Sequence, residues 1–297
     1  MIYSHVPVML SEIITFLNPK EGGKFIDCTL GGAGYTTALA TLVGSKGKIL
    51  AIDLDDIALE NAEKLLKEKK LDNVSLIRSN FKNLNEAASS VFPEGTLFDG
   101  IVFDLGLSSA QLADESRGFS FRGDRALDMS FGVEAELSTE EIVNSYSLIE
   151  LTQIFREYGE EKQAYKIAKK IVESRKKKRI KTTSDLTSII EEIIPFRAWS
   201  KIHPATKVFQ ALRMETNREL AVLEEALNKA EKMLKTGGRL VVVSFHSGED
   251  RIVKNFLKER KGKSFNILTK KPLIPSDFEI GSNRRSRSAK LRAAEKI

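Results

Sequence analysis

The chain is poor in cysteine, histidine and tryptophan: 297 residues hold one cysteine (Cys28), three histidines and one tryptophan. A single thiol excludes an intrachain disulfide and fits a reducing compartment. His5, His203 and His246 with that one cysteine are too few for a structural zinc site, and no metal is expected. No stretch of about 18 apolar residues occurs, so no membrane-spanning helix is expected. Residues 1–10 lack a basic region followed by an apolar one, so no secretory signal is read there. These absences point to a cytoplasmic protein without a membrane. No coiled-coil seam marks an oligomeric state.

Charge is abundant. Charged residues make up 30% of the chain and hydrophobic residues 41%, an ordinary composition for a globular protein. The formal net charge is +6. An acidic partner is compatible with it, nucleic acid being the commonest.

The first hundred residues alternate strand and helix signals. Strands are predicted at residues 24–30 (KFIDCTL), 48–53 (KILAID), 74–78 and 98–105 (FDGIVFDL), and helices at 35–42 and 57–69. Such repetition predicts a parallel sheet covered by helices. From about residue 113 to 205 the strand-like runs vanish and helical spacing takes over, as in Ala164, Ile167, Ala168, Ile171 and Val172. A long helix at 215–234, a strand at 239–245 (RLVVVSF) and a helix at 249–260 then restore the α/β pattern. The expected organisation is an α/β domain of residues 1–112 and 206–297, interrupted by a smaller helical domain, 113–205, for substrate recognition.

A cofactor site is suggested by the glycine-rich turn Gly31-Gly32-Ala33-Gly34 between a strand and a helix. Asp53 ends the next strand, where a carboxylate can accept hydrogen bonds from both hydroxyls of a ribose. The turn is not the Gly-x-Gly-x-x-Gly that admits a pyrophosphate, and Asp27 stands at its entrance. An acid there suits a cationic cofactor without phosphates, such as S-adenosylmethionine. Phe81, after the third strand, is placed to line an adenine site or to join the core. Asp104, closing the fourth, faces the ligand edge or caps a loop. Competing readings are an NAD-dependent oxidoreductase and an RNA-binding factor without activity. Ser244, His246 and Asp250 invite a hydrolase reading, but no Gly-x-Ser-x-Gly elbow precedes them.

Several ordered strings carry a resemblance: HVPVMLSE from His5, DCTLGGAGY from Asp27, DLGLSSAQ from Asp104, RGFSF from Arg117, LDM from Leu127, HPAT from His203, FQALR from Phe209, SFHS from Ser244 and the basic run from Arg284 to Arg292. Together they closely resemble the bacterial RsmH (MraW) family of 16S ribosomal RNA (cytosine N4)-methyltransferases, over nearly the whole chain. The resemblance implies a Rossmann-like class I methyltransferase sheet. It implies S-adenosylmethionine held at Ala33, Gly34, Tyr35, Asp53, Phe81, Asp104 and Gln111. It also implies a partner, 16S rRNA or the small ribosomal subunit, methylated at a cytidine of the decoding region. Tyr35 stands where many members have histidine, Gly248 where leucine is usual, and Ser130 where arginine is common.

Asp104 is a candidate catalytic residue, because amino-methyltransferases place an acidic or amide motif after strand four to accept the hydrogens of the amine. His246, at the end of the fifth strand, is a second. Carbon-5 methylation of cytosine normally needs a thiol nucleophile. Cys28, in the cofactor strand, is badly placed for that, so nitrogen is the expected target. Two basic clusters are candidate RNA contacts: Arg175, Lys176, Lys177, Lys178 and Arg179, and Arg284, Arg285 and Arg287 with Lys290 and Arg292. Phe119, Phe121 and Trp199 are candidates for base stacking or for core packing.

Overall fold

The structure is a computed structural model and describes residues 7–106, 118–121, 123–131, 137–195 and 203–297. Its residues divide into two units, one of residues 1–109 and 220–297 and one of residues 110–219. The second unit therefore runs on to Glu219 rather than ending at 205.

The first unit is built on a seven-stranded sheet. Its strands are β1 (Lys24–Asp27), β2 (Lys48–Asp53), β3 (Val74–Arg78), β4 (Phe98–Asp104), β5 (Leu234–Ser244), β6 (Phe265–Ile267) and β7 (Lys290–Lys296). They lie in the order β3-β2-β1-β4-β5-β7-β6. The first five are parallel, while β7 is antiparallel to both β5 and β6. Strand order reverses between β1 and β4, which opens a crevice beyond the carboxyl ends of those strands.

Side chains alternate across this sheet, as strand geometry dictates. Ile26, Ile101, Phe103, Leu240 and Val242 point to one face. They pack on α4 (Leu84–Ser89), α10 (Glu219–Met233, through residues from Leu223 on) and α11 (Ser247–Arg260). Phe25, Val102, Val241 and Val243 point to the other face, covered by α1 (Leu10–Leu17) and α2 (Gly34–Val43). Burial on both faces explains why these strands read as continuous apolar runs. The helix α3 (Asp56–Glu68) buries Ala62 against Leu30, Ala33 and Ala51.

The second unit holds α5 (Thr139–Ser145), α6 (Leu148–Glu157), α7 (Ala164–Arg175), α8 (Thr183–Ile193) and α9 (Ala205–Thr216). Ser138 and Ser147 start α5 and α6 with reciprocal caps to Glu141 and Glu150. Ala164, Ile167, Ala168 and Ile171 form the buried stripe of α7, as their spacing predicts. The helix α9 packs on α6, which is why it belongs with this unit.

Two of the differences from the sequence reading bear on the architecture. The predicted helix 215–234 is interrupted at Asn217 and Arg218, between α9 and α10. Arg218 is left-handed (φ 49°), and the Asn217 side chain accepts from Phe131 N–H at 2.8 Å and donates to Met129 O at 2.8 Å. The basic tail supplies β7, a sheet strand hidden in the sequence by its lysines and arginine. No helix is long and apolar enough to cross a membrane among the described residues.

Candidate active site

The site grows from the turn between β1 and α2. The backbone turns there through two left-handed residues, Gly31 (φ 47°) and Ala33 (φ 58°). Such a conformation in alanine is strained, a feature that collects at functional sites. At Gly34 a Cβ would come within 2.7 Å of the Pro7 ring, so the close approach needs glycine.

Asp27 ends β1 and is fully buried. Its Oδ2 accepts from Thr36 Oγ1 at 2.7 Å and its Oδ1 from Thr29 N–H at 3.2 Å. Burial pushes its pKa up to about 6; the Thr36 and Thr29 bonds oppose the rise and the Asp53 charge adds to it.

Asp53 ends β2. One oxygen accepts from Gly31 N–H at 2.9 Å and the other from Asp55 N–H at 3.0 Å. Burial raises its pKa as well. The carboxylate thus pins the glycine turn, and it keeps lone pairs for further hydroxyl donors.

Asp104 ends β4, and its backbone N–H donates to Thr29 Oγ1 at 2.7 Å. Its Oδ2 lies 3.2 Å from the Tyr35 hydroxyl. Its Oδ1 is buried with no partner among the described residues. Burial first, then the charges of Asp27 and Glu249, push its pKa up to about 8, against the Tyr35 bond. Phe81 follows β3, half-buried and edge-on to Phe103 with ring centroids 5.7 Å apart.

Ala33, Gly34, Tyr35, Asp53 and Asp104 are therefore gathered at the carboxyl ends of β1, β2 and β4, at the reversal of strand order. Gln111 lies outside the described residues, as do His5 and Trp199. The sequence reading missed Thr29 and Thr36, which carry no motif of their own. It also missed the Tyr35 hydroxyl, for the resemblance implied only that this residue holds the cofactor.

His246 is the N-cap of α11. Its Nδ1 accepts from Glu249 N–H at 3.3 Å, while Glu249 Oε2 accepts from Phe245 N–H at 2.8 Å. Its buried Nε2 is 3.0 Å from Glu249 Oε1 but not aligned for a hydrogen bond. Asp250 turns away to Arg292, 2.7 Å from its Nε, so Ser244, His246 and Asp250 form no triad. That bond also removes Arg292, 8% exposed, from the basic cluster at the C-terminal end.

Cys28 is buried, and burial pushes its thiol well above the ordinary range, which makes it inert as a nucleophile. Phe119 is buried beside Phe131, and Phe121 stacks on His203 within the helical unit, so both serve packing there.

The basic residues fall into two kinds. Arg175 Nη1 donates to Val143 O at 2.8 Å, Lys178 meets Asp185 at 3.0 Å and Arg179 meets Glu140 at 2.6 Å. Lys176 and Lys177 are exposed beyond the end of α7. Arg284, Arg285 and Arg287 are exposed on a short 3-10 turn, Arg284–Ser288, that leads into β7.

Asp27, Asp53 and Asp104 bring three acidic groups to the site, and the negative charge they can carry opposes a pyrophosphate and favours a cation. The buried, unpartnered oxygen of Asp104 fits such a ligand too. The model of the MraW methylase family matches residues 2–297. The chain belongs to the MraW methylase family. It is a methyltransferase whose methyl donor is S-adenosylmethionine.

Its relatives include a "Ribosomal RNA small subunit methyltransferase H" of Caldicellulosiruptor saccharolyticus, 43% identical over all of both chains. Another of that name, from Fusobacterium nucleatum, is 44% identical over 99% of this chain and 97% of its own. A crystal structure of a Clostridium thermocellum protein, 19% identical, shares the fold with a TM-score of 0.50 over 99% of this chain and all of its own. The class I methyltransferase sheet implied by the sequence is thus the sheet found.

Proposed function

We propose that this methyltransferase transfers the methyl group to the exocyclic N4 amine of a cytidine in the decoding region of 16S rRNA, in the cytoplasm. The reading rests on the full-length likeness to two small-subunit rRNA methyltransferases, each above 40% identity. The chemistry of the site agrees with it. A cytosine amine is a weak nucleophile, because its lone pair is delocalised into the ring. S-adenosylmethionine supplies an activated methyl group.

The chain's own residues then have two tasks, alignment and acceptance of the amine's hydrogens. Ala33, Gly34, Asp53, Phe81 and Gln111 would hold the adenosyl group. Asp104, with Oδ1 unpartnered among the described residues, is the acceptor for the amine. His246 supports the rim by capping α11. Nitrogen rather than carbon 5 is the target, since Cys28 is buried and its thiol is held protonated. Lys176 and Lys177 with Arg284, Arg285 and Arg287 are the cations for phosphate contacts, as expected of a chain with net charge +6.

The test is mass-spectrometric mapping of 16S rRNA from a strain lacking the gene, before and after treatment with the pure enzyme. A single N4-methylcytidine restored in the decoding region is the expected result. A methyl group on another base, or on carbon 5, rejects the reading.

A further inference from the structure

The Tyr35 hydroxyl has one hydrogen and two acceptors. Val8 O lies 2.5 Å away and Asp104 Oδ2 lies 3.2 Å away. The shorter contact claims the hydrogen. The tyrosine oxygen then faces a carboxyl oxygen, an arrangement that is favourable only if the carboxyl carries a hydrogen of its own. The other Asp104 oxygen is buried and unpartnered among the described residues, so none of them solvates a negative charge on it.

We propose that Asp104 is protonated in the free enzyme and surrenders its proton to solvent when a sulfonium cation is taken up, with the Tyr35 hydroxyl turning from Val8 O to Asp104 to hold the new carboxylate. Tyr35 is thus a positioning residue that separates methyl donor from demethylated product. The inference rests on the methyl donor and is independent of which RNA nucleotide is modified.

The groups that face Asp104 agree. Asp27 on β1 and Glu249 on α11 both oppose its ionisation, and burial is the largest effect. Tyr35 on α2 stays protonated, since burial first, then Asp104, Asp27 and Glu279, push its own pKa well up. Among the described residues no cation offsets these effects at Asp104, so an incoming positive charge changes the balance most. S-adenosylhomocysteine, the neutral sulfide, brings no such charge. An ionised Asp104 is also the better acceptor for an amine, so donor uptake prepares the residue for its proposed role.

The protons balance simply. The O–H bond of Asp104 breaks, the proton goes to buffer, and the electron pair stays on the carboxylate. The Tyr35 hydrogen changes acceptor without leaving its oxygen.

The test is calorimetric titration of the whole protein with S-adenosylmethionine and with S-adenosylhomocysteine, in buffers of low and high ionisation enthalpy. At about pH 6.5 both ligands keep their α-ammonium. Close to one proton released with the sulfonium and almost none with the sulfide is the expected result, with the difference fading at about pH 9, where free Asp104 is already ionised. Asp104→Asn abolishes the difference. Tyr35→Phe weakens the sulfonium by about tenfold more than the sulfide, the scale of a hydrogen bond to a charged group. The wild-type titration decides the matter even if neither variant folds. Equal release with both ligands, or none with the sulfonium, overturns the proposal. Absence of binding heat for both overturns the donor assignment along with it.

Discussion

Asp27 and Asp104 tie the stability of the ligand-free protein to pH. Unfolded, each loses its proton near 3.8; folded, Asp27 keeps it to about 6 and Asp104 to about 8. Between those values the folded chain binds the extra protons, so their contribution is greatest at the acid end and is lost as pH rises through the window. Thermal unfolding of the free protein is therefore expected at a lower temperature at pH 8 than at pH 6. Asp104→Asn should raise the midpoint at pH 8 by roughly 2–4 °C and change it little near pH 5. A loss of stability in the variant at both pH values would contradict this account.

At the same scale, much of the site was legible in the sequence. Asp27, Asp53 and Asp104 each follow an apolar run, and strand ends in an α/β sheet are where ligands bind. What was hidden is the wiring between them. That Thr29 accepts from the Asp104 backbone, or that Tyr35 reaches Val8, depends on contacts between segments far apart in sequence. His246 was legible as an unusual residue but not as a helix cap, since a capping box normally begins with serine or threonine.

Among the elements, α3 shows how termination was written. Leu71 N–H bonds to Leu66 O and Lys70 N–H to Lys67 O, the paired bonds that close a helix around a left-handed residue. That residue is Lys70 (φ 56°), where glycine would be unstrained, and its side chain is exposed. Lys70→Gly should stabilise the protein by about 1 kcal/mol in denaturant titrations. The same left-handed geometry at Arg218 broke a helix that the sequence pattern ran straight through. Apolar spacing continues from α9 into α10, and the Asn217 contacts with Met129 and Phe131 mark the break. β7 escaped for the opposite reason: its buried Leu291, Ala293 and Ala294 alternate too weakly among charged neighbours to announce a strand.

For the molecule as a whole, RNA affinity should divide among exposed cations. Arg175, Lys178 and Arg179 have partners within the helical unit, so reversing them would confuse folding with binding. Lys176→Glu with Lys177→Glu is the cleaner variant. It should weaken rRNA binding several-fold at moderate salt and lower the slope of log affinity against log salt by about 2, leaving donor affinity unchanged. Filter binding across a salt series reads this directly, and an unaltered slope would remove the two lysines from the interface.

The position of β7 bears on truncation. Among the described residues, the strand at 265–267 has a strand neighbour only in residues 290–296, and those residues also cover the side of β5 away from β4. A chain cut between the two would keep an open edge on β5 and an orphaned β6, the kind of edge that recruits other chains. A protease nick in that connection is therefore expected to turn the product aggregation-prone while β1 to β5 stay paired.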